Sequence, residues 1–182
     1  MTSSESEHVI LVNEQDQPIG RAEKLHAHQQ GLLHRAFSIF IFRTISSTQQ
    51  QEILLQQRAL TKYHSAGLWT NTCCSHPREE ESVQTAAERR LQEEFGFTTA
   101  LQHLGWFHYY AQFSNGLAEN EIDHVLVGQV PADIFFSVNA NEIHAYRWIT
   151  LENVQQELQA HPERFTPWFA QALSFVETKM LL

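Results

Sequence analysis

The chain has 182 residues, 42% of them hydrophobic, and a formal net charge of −9 with its 11 histidines neutral. That length holds one domain with a substantial core, and that hydrophobic fraction excludes a broadly disordered chain. The acidic balance argues against nucleic acid or an anionic membrane as the main partner, and no apolar run approaches the roughly 20 residues a bilayer crossing requires.

Residues 1–7 are polar and acidic. They lack the basic start and the apolar run of a signal peptide, so they are expected to form a disordered tail on a cytoplasmic protein. Residues 8–182 are expected to fold as one domain. The two cysteines, Cys73 and Cys74, are neighbours. A disulfide between adjacent residues is strained, and without a CxxC pair a four-cysteine zinc site is excluded. Free thiols suit a reducing compartment.

In chain order, His8 to Val12 reads as a short strand, Asn13 to Gly20 as a turn, and Arg21 to Lys24 as a second short strand. His28 and His34 fall in an expected loop, HQQGLLH. Ala36 to Phe42 (AFSIFIF) is aromatic and β-branched, the composition of a buried strand. A hairpin loop over Ile45 to Gln51 leads to a partner strand at Glu52 to Gln57, and Leu68 to Cys74 reads as a further strand. Residues 82–95 carry the clearest helix: Ser82 can cap it, Gly96 can end it, and Val83, Ala86, Ala87, Leu91 and Phe95 form an apolar stripe. Strands are expected at Leu104–Phe113, Ile122–Val130 and Ala145–Ile149, and a helix at Leu151–Ala160. Thr166 and Pro167 look like the cap and first turn of a C-terminal helix. Strands mixed with a few helices predict a layered α/β or α+β domain.

Polar chemistry concentrates in four segments. They are the His28–His34 loop; WTNTCCSHP, Trp69 to Pro77; the helix carrying Arg90 and Glu94; and ENEIDH, Glu119 to His124. If extended, the second segment projects Cys74 and His76 from one face and Cys73 from the other, and the fourth puts Glu119 and Glu121 on one face. Arg90 and Glu94 share a helix face. Three histidines and two carboxylates suit an octahedral site for zinc, manganese or magnesium. Each residue alone has a plainer reading. The histidines would be surface or core residues, the glutamates solvated charges, Cys74 a small apolar residue, and Arg90–Glu94 an exposed ion pair.

Read together, WTNTCCSHP and ENEIDHVL resemble the cysteine and glutamate motifs of the type I isopentenyl diphosphate isomerases. The resemblance extends to EHVILVN near the start, to the QRAL–TK segment and to TPW near the end, nearly the whole chain. Residues 75–97 also resemble a degenerate Nudix box. Glu81, Arg89, Leu91, Glu93, Glu94, Gly96 and Phe97 fit its pattern, while Ser75 replaces the first glycine and Arg90 the key glutamate. A cation in place of that carboxylate favours holding a diphosphate over cleaving it, and the isomerases share the departure.

The resemblance implies a Nudix-like mixed β-sheet core flanked by helices, and metal-dependent isomerisation of isopentenyl to dimethylallyl diphosphate. It implies His28, His34, His76, Glu119 and Glu121 as ligands of a protein-bound divalent metal, and Glu94 as ligand of a magnesium ion that accompanies the diphosphate. Cys74 and Glu121 would be the catalytic acid/base pair, with Tyr109 and Trp168 as aromatic members of the site. The sequence leaves open which of the two gives the proton; our working hypothesis is that Glu121, with Tyr109, protonates the alkene and Cys74 takes the second proton. Lys24, Arg58, Lys62 and Arg90 would bind the diphosphate. The implied partner is a small allylic or homoallylic diphosphate, acted on by a monomer or weak homodimer. One segment, Tyr63 to Gly67 (YHSAG), is less typical and bears on how the loop after Lys62 holds the diphosphate. A Nudix-type diphosphate hydrolase is the second reading, and a non-catalytic metal-binding module the third.

Overall fold

The computed structural model describes residues 7–181. Residues 1–6, most of the expected tail, lie outside the described residues; Glu7 is described, and its carbonyl accepts from the Lys24 N–H at 2.7 Å. The strands are β1 (His8–Val12), β2 (Pro18–Glu23), β3 (His34–Thr44), β4 (Gln51–Arg58), β5 (Trp69–Thr70), β6 (Cys73–Ser75), β7 (Leu101–Gln112), β8 (Ala118–Gln129) and β9 (Ile143–Thr150). The helices are α1 (Lys24–Gln30), α2 (Val83–Phe95), α3 (Leu151–Ala160) and α4 (Phe169–Met180), with a single 3-10 turn at Pro162–Arg164 before α4.

All nine strands join one mixed sheet. β3 runs at its centre, parallel to β8 along one edge from His34↔Glu121 to Phe42↔Gln129. Its other edge meets β1 at His34, β6 at Phe37 to Ile39 and β4 at Phe42 to Thr44, all antiparallel. Alternation along β3 divides the core in two. Phe37, Ile39 and Ile41 join Ala86, Ala87, Leu91 and Phe95 of α2 on one face. Phe40 and Phe42 join Phe169, Ala172, Leu173 and Val176 of α4 on the other. The result is the expected layered α/β domain. No helix among the described residues is long and apolar enough to cross a membrane.

Helix α2 forms as its sequence predicts. Ser82 Oγ accepts from the Thr85 N–H at 3.1 Å, and Gly96 ends the helix in the left-handed region at φ 74°. Four expectations are corrected. His28 is helical, in α1, and His34 opens β3, so neither lies in a loop. Lys24 begins α1 and does not end β2. The segment Leu68 to Cys74 is not one strand: Trp69 and Thr70 pair with β4, then Cys73 to Ser75 pair with β3. Between them Thr72 Oγ1 donates to the Leu54 carbonyl and accepts from the Ile41 N–H, and Asn71 Nδ2 donates to the carbonyls of Ile39 and Cys73. Side chains thus replace the ladder bonds where the chain crosses from one strand to another. Finally, Thr166 does not cap α4 with its side chain; its hydroxyl donates to Thr70 Oγ1, and α4 begins at Phe169.

Candidate active site and metal centre

The face of the sheet that α4 covers changes character along its length. At one end it carries Phe40, Phe42, Val125 and Val127 against α4. Toward the start of β3 and β8 the same face carries His34, Ser38, Glu119, Glu121 and Asp123, all buried. The ladder partners Tyr109 (opposite Glu121) and Cys74 (opposite Ser38) therefore face the same way. A cavity opens here, lined by Cys74, His76, Glu119, Glu121 and Trp168 together with Lys24, Arg58, Lys62, Arg90 and Glu94.

Four expected metal ligands converge. One donor atom each from His28, His34, His76 and Glu121 lies within 4.8 Å of the others. Tautomers are set from behind: His28 Nδ1 faces the Lys24 carbonyl at 2.7 Å, and His34 Nδ1 the Leu32 carbonyl at 2.8 Å. Each ring can donate from Nδ1, leaving Nε2 bare for a metal. His28 Nε2 is buried and unpartnered, as are His76 Nδ1 and Glu119 Oε2, while His34 Nε2 faces Glu121 Oε1 at 3.3 Å. Orphaned nitrogen and carboxylate donors converging in a buried site fit a divalent ion. Burial pushes the His76 imidazole down to about 4, so its ring is neutral and free to ligate.

Glu119 belongs to a different triad, with His28 and His64, that also converges within 4.8 Å. The two glutamates are shifted in opposite directions. Burial and the neighbouring Glu121 charge raise the Glu119 carboxyl well above its usual value. Burial works against Glu121 too, but hydrogen bonds from His34 and His76 outweigh it and hold its carboxyl well below the usual value. Glu94 stands outside both donor sets: its Oε1 accepts from Arg90 at 2.5 Å and its Oε2 from Gln56 at 2.9 Å.

Cys74 sits in a network that the sequence did not reveal. Asn71 Oδ1 accepts from Cys74 Sγ at 3.1 Å, from Thr70 Oγ1 at 2.9 Å and from Trp168 Nε1 at 3.3 Å. Trp168 Nε1 is also 3.3 Å from the sulfur. Burial pushes the Cys74 thiol up to about 12, so it carries its proton at neutral pH. Cys73 faces the α2 core, as alternation predicts. Tyr109 is buried with an unpartnered hydroxyl, its ring 6.4 Å from Trp168, but it does not line the cavity.

Four expected diphosphate cations line the cavity, and three are already paired. Lys24 meets Glu7 at 2.9 Å, Lys62 pairs with Glu142, and Arg90 meets Glu94 at 2.5 Å and Glu142 at 3.3 Å. Among the described residues Arg58 has no carboxylate partner; it lies over the Trp168 ring at 5.5 Å. The Nε atoms of Arg58 and Arg90 are buried and unpartnered, as a missing anion would leave them. Sequence reasoning missed His64, Asn71, Asp123 and Glu142. Asn71 lay inside WTNTCCSHP and Asp123 inside ENEIDH, whereas His64 and Glu142 are single polar residues without a diagnostic spacing.

Comparisons with known proteins agree with this picture. A profile of the NUDIX domain matches residues 32–169. The chain is 46% identical over 168 residues to the isopentenyl-diphosphate Delta-isomerase of Aliivibrio fischeri strain MJ11, covering 90% of this chain and 91% of that one. It is 48% identical over 163 residues to the enzyme of that name from Serratia proteamaculans strain 568, covering 90% and 87%. In fold it is similar to DR0079 from Deinococcus radiodurans, with a TM-score of 0.69 at 18% identity over 92% of this chain and 98% of that one. It is similar also to a Caenorhabditis elegans Ap4A hydrolase, with a TM-score of 0.59 at 17% identity over 81% and 97%. The chain therefore belongs to the isopentenyl-diphosphate Delta-isomerase family and is built on a NUDIX domain.

Proposed function

We infer that the protein interconverts isopentenyl and dimethylallyl diphosphate by adding a proton at one end of an allylic unit and removing one at the other. The observation that carries this is that Cys74 and Glu121 line one cavity, with burial pushing the thiol up and hydrogen bonds from His34 and His76 holding the carboxyl down. Isomerisation needs one donor and one acceptor, and this pair holds a single transferable proton. Protonating the terminal methylene draws the π electrons into a new C–H bond and leaves a tertiary cation. Loss of a proton from the adjacent methylene returns that electron pair as the new double bond. The reaction is reversible, so donor and acceptor exchange with direction.

Trp168 offers its ring face to the cationic centre, an attraction of about 0.5–2 kcal/mol. Being itself buried, it also helps keep water from trapping the cation as an alcohol. Tyr109 supports Trp168 and Glu121 from behind. Lys24, Arg58, Lys62 and Arg90 bind the diphosphate, whose role is to position the alkene. Arg58 and Arg90, with their unpartnered Nε atoms, supply the forked contacts. A manganese, zinc or magnesium ion on the His28, His34, His76, Glu119 and Glu121 donors would keep Glu121 ionised and oriented, and magnesium beside Glu94 would offset diphosphate charge.

A hydrolase reading fails on Arg90. It occupies the place of the carboxylate that cleavage requires, and its guanidinium is paired with Glu94. The test is proton NMR of isopentenyl diphosphate with purified protein and magnesium in deuterated water, with and without prior chelation. Dimethylallyl diphosphate carrying deuterium, absent after chelation, is the expected result. Unchanged substrate with folded, metal-loaded protein would overturn the reading.

A further inference from the structure

His64 lies in the loop between β4 and β5, within the atypical YHSAG segment, yet its side chain is only 6% exposed. The ring is fixed on several sides. It stacks on Phe113 at 5.0 Å and meets Tyr63 edge-on at 4.8 Å and Trp168 at 6.2 Å. Its Nδ1 is 3.4 Å from Ser65 Oγ, which can accept the ring proton and leave Nε2 as the basic atom. That Nε2 lies 3.3 Å from Glu119 Oε1.

The length of that contact repeats within the centre. His34 Nε2 is 3.3 Å and His76 Nε2 3.0 Å from Glu121 Oε1. Donors bonded to one ion at about 2.1 Å and at right angles sit about 3.0 Å apart, so pairs at 3.0 and 3.3 Å are close enough to share an ion. His64 thus stands to Glu119 as His34 and His76 stand to Glu121. His28 belongs to both donor sets, and its Nε2 is buried and unpartnered, as is Glu119 Oε2. Since His28 Nδ1 is engaged by a backbone carbonyl, its single bare nitrogen serves one ion, not two.

We propose that His64 is a ligand of the metal centre, entering with Glu119 and completing an octahedron with His28, His34, His76 and Glu121. Five of these six donors are the ones the motifs identify; His64 is the addition. The inference rests on the metal-centre reading above.

Manganese(II) is the probe. Pulsed electron–nuclear double resonance on the wild-type protein should resolve four coordinated histidine nitrogens, and three in the His64→Gln variant. Three in the wild type would overturn the proposal without any mutation. By competitive titration, His64→Gln should bind manganese at least about tenfold more weakly, since losing even an outer partner of a ligand costs 10- to 100-fold. Glutamine can still donate a hydrogen bond to Glu119. Wild-type affinity in His64→Gln, with loss only in His64→Ala, would therefore mean that His64 merely holds Glu119, and ligation is wrong. A wild-type protein that binds no manganese would instead sink the metal centre itself.

Discussion

At the scale of single residues, the site depends on how a thiol is kept a thiol. Cys74 has Asn71 Oδ1 at 3.1 Å as acceptor for its proton and Trp168 Nε1 at 3.3 Å as donor to the sulfur, and burial outweighs the nearby Arg58 charge that would favour the thiolate. Cys74→Ser preserves that hydrogen bonding but replaces the thiol by a far weaker acid. Turnover should fall by roughly 10²–10⁴, the usual worth of a positioned acid or base, while bound metal measured by mass spectrometry stays unchanged. Cys73→Ala is the matched control, because that side chain packs in the α2 core. It should lose some stability and keep kcat. Near-normal turnover in Cys74→Ser would remove Cys74 from the mechanism.

At the scale of elements, the helix that brings Arg90 and Glu94 to the cavity is held at both ends. A Cβ at Gly96 would lie 2.7 Å from Ser137 Cβ and 3.0 Å from the Ser137 carbonyl, in a backbone conformation with φ of 74°. Gly96→Ala should therefore cost about 1–3 kcal/mol, read as a lower urea midpoint at constant m-value. Ser82→Ala, which removes the N-cap acceptor, should cost about 1 kcal/mol in the same assay. A midpoint unchanged in both variants would mean that the ends of α2 do not limit stability. This helix was legible in the sequence because cap, stripe and terminator agree within 15 residues, Ser82 to Gly96. The break between β5 and β6 was not legible. It depends on Thr72 and Asn71 bonding to Leu54, Ile39 and Ile41, partners distant in sequence. α1 was missed because seven residues are too few for a helical period to declare itself. In the site, the motif residues were legible as a set, whereas His64 had no spacing to mark it.

At the scale of the whole molecule, folding gathers one buried centre from α1, β3, β8 and the segment after β6, and leaves its charge unevenly divided. Burial holds three of the histidines in their neutral form, with His28 below its usual value, His76 at about 4 and His64 at about 3. Glu121 is already ionised, by its hydrogen bonds from His34 and His76 against the effect of burial. Glu119 differs, since burial and the Glu121 charge hold its proton on. A metal binds only the carboxylate form, so Glu119 must give up that proton when the ion enters. The sign follows: with the Glu119 value raised, affinity for the metal rises with pH through the range below that value, by about tenfold per unit for one released proton. His28, His64 and His76, with their lowered values, add little to that dependence above those values. Calorimetric titration of the chelator-stripped protein with manganese, in buffers of different ionisation enthalpy at several pH values above the ordinary carboxylate range, should show up to one proton released per ion, the release falling off as pH rises. Glu119→Gln should abolish the release and weaken binding at every pH. No release from the wild type would mean that Glu119 is already ionised or is not a ligand; release of two or more would mean that the histidines are charged in the metal-free protein, contrary to their burial.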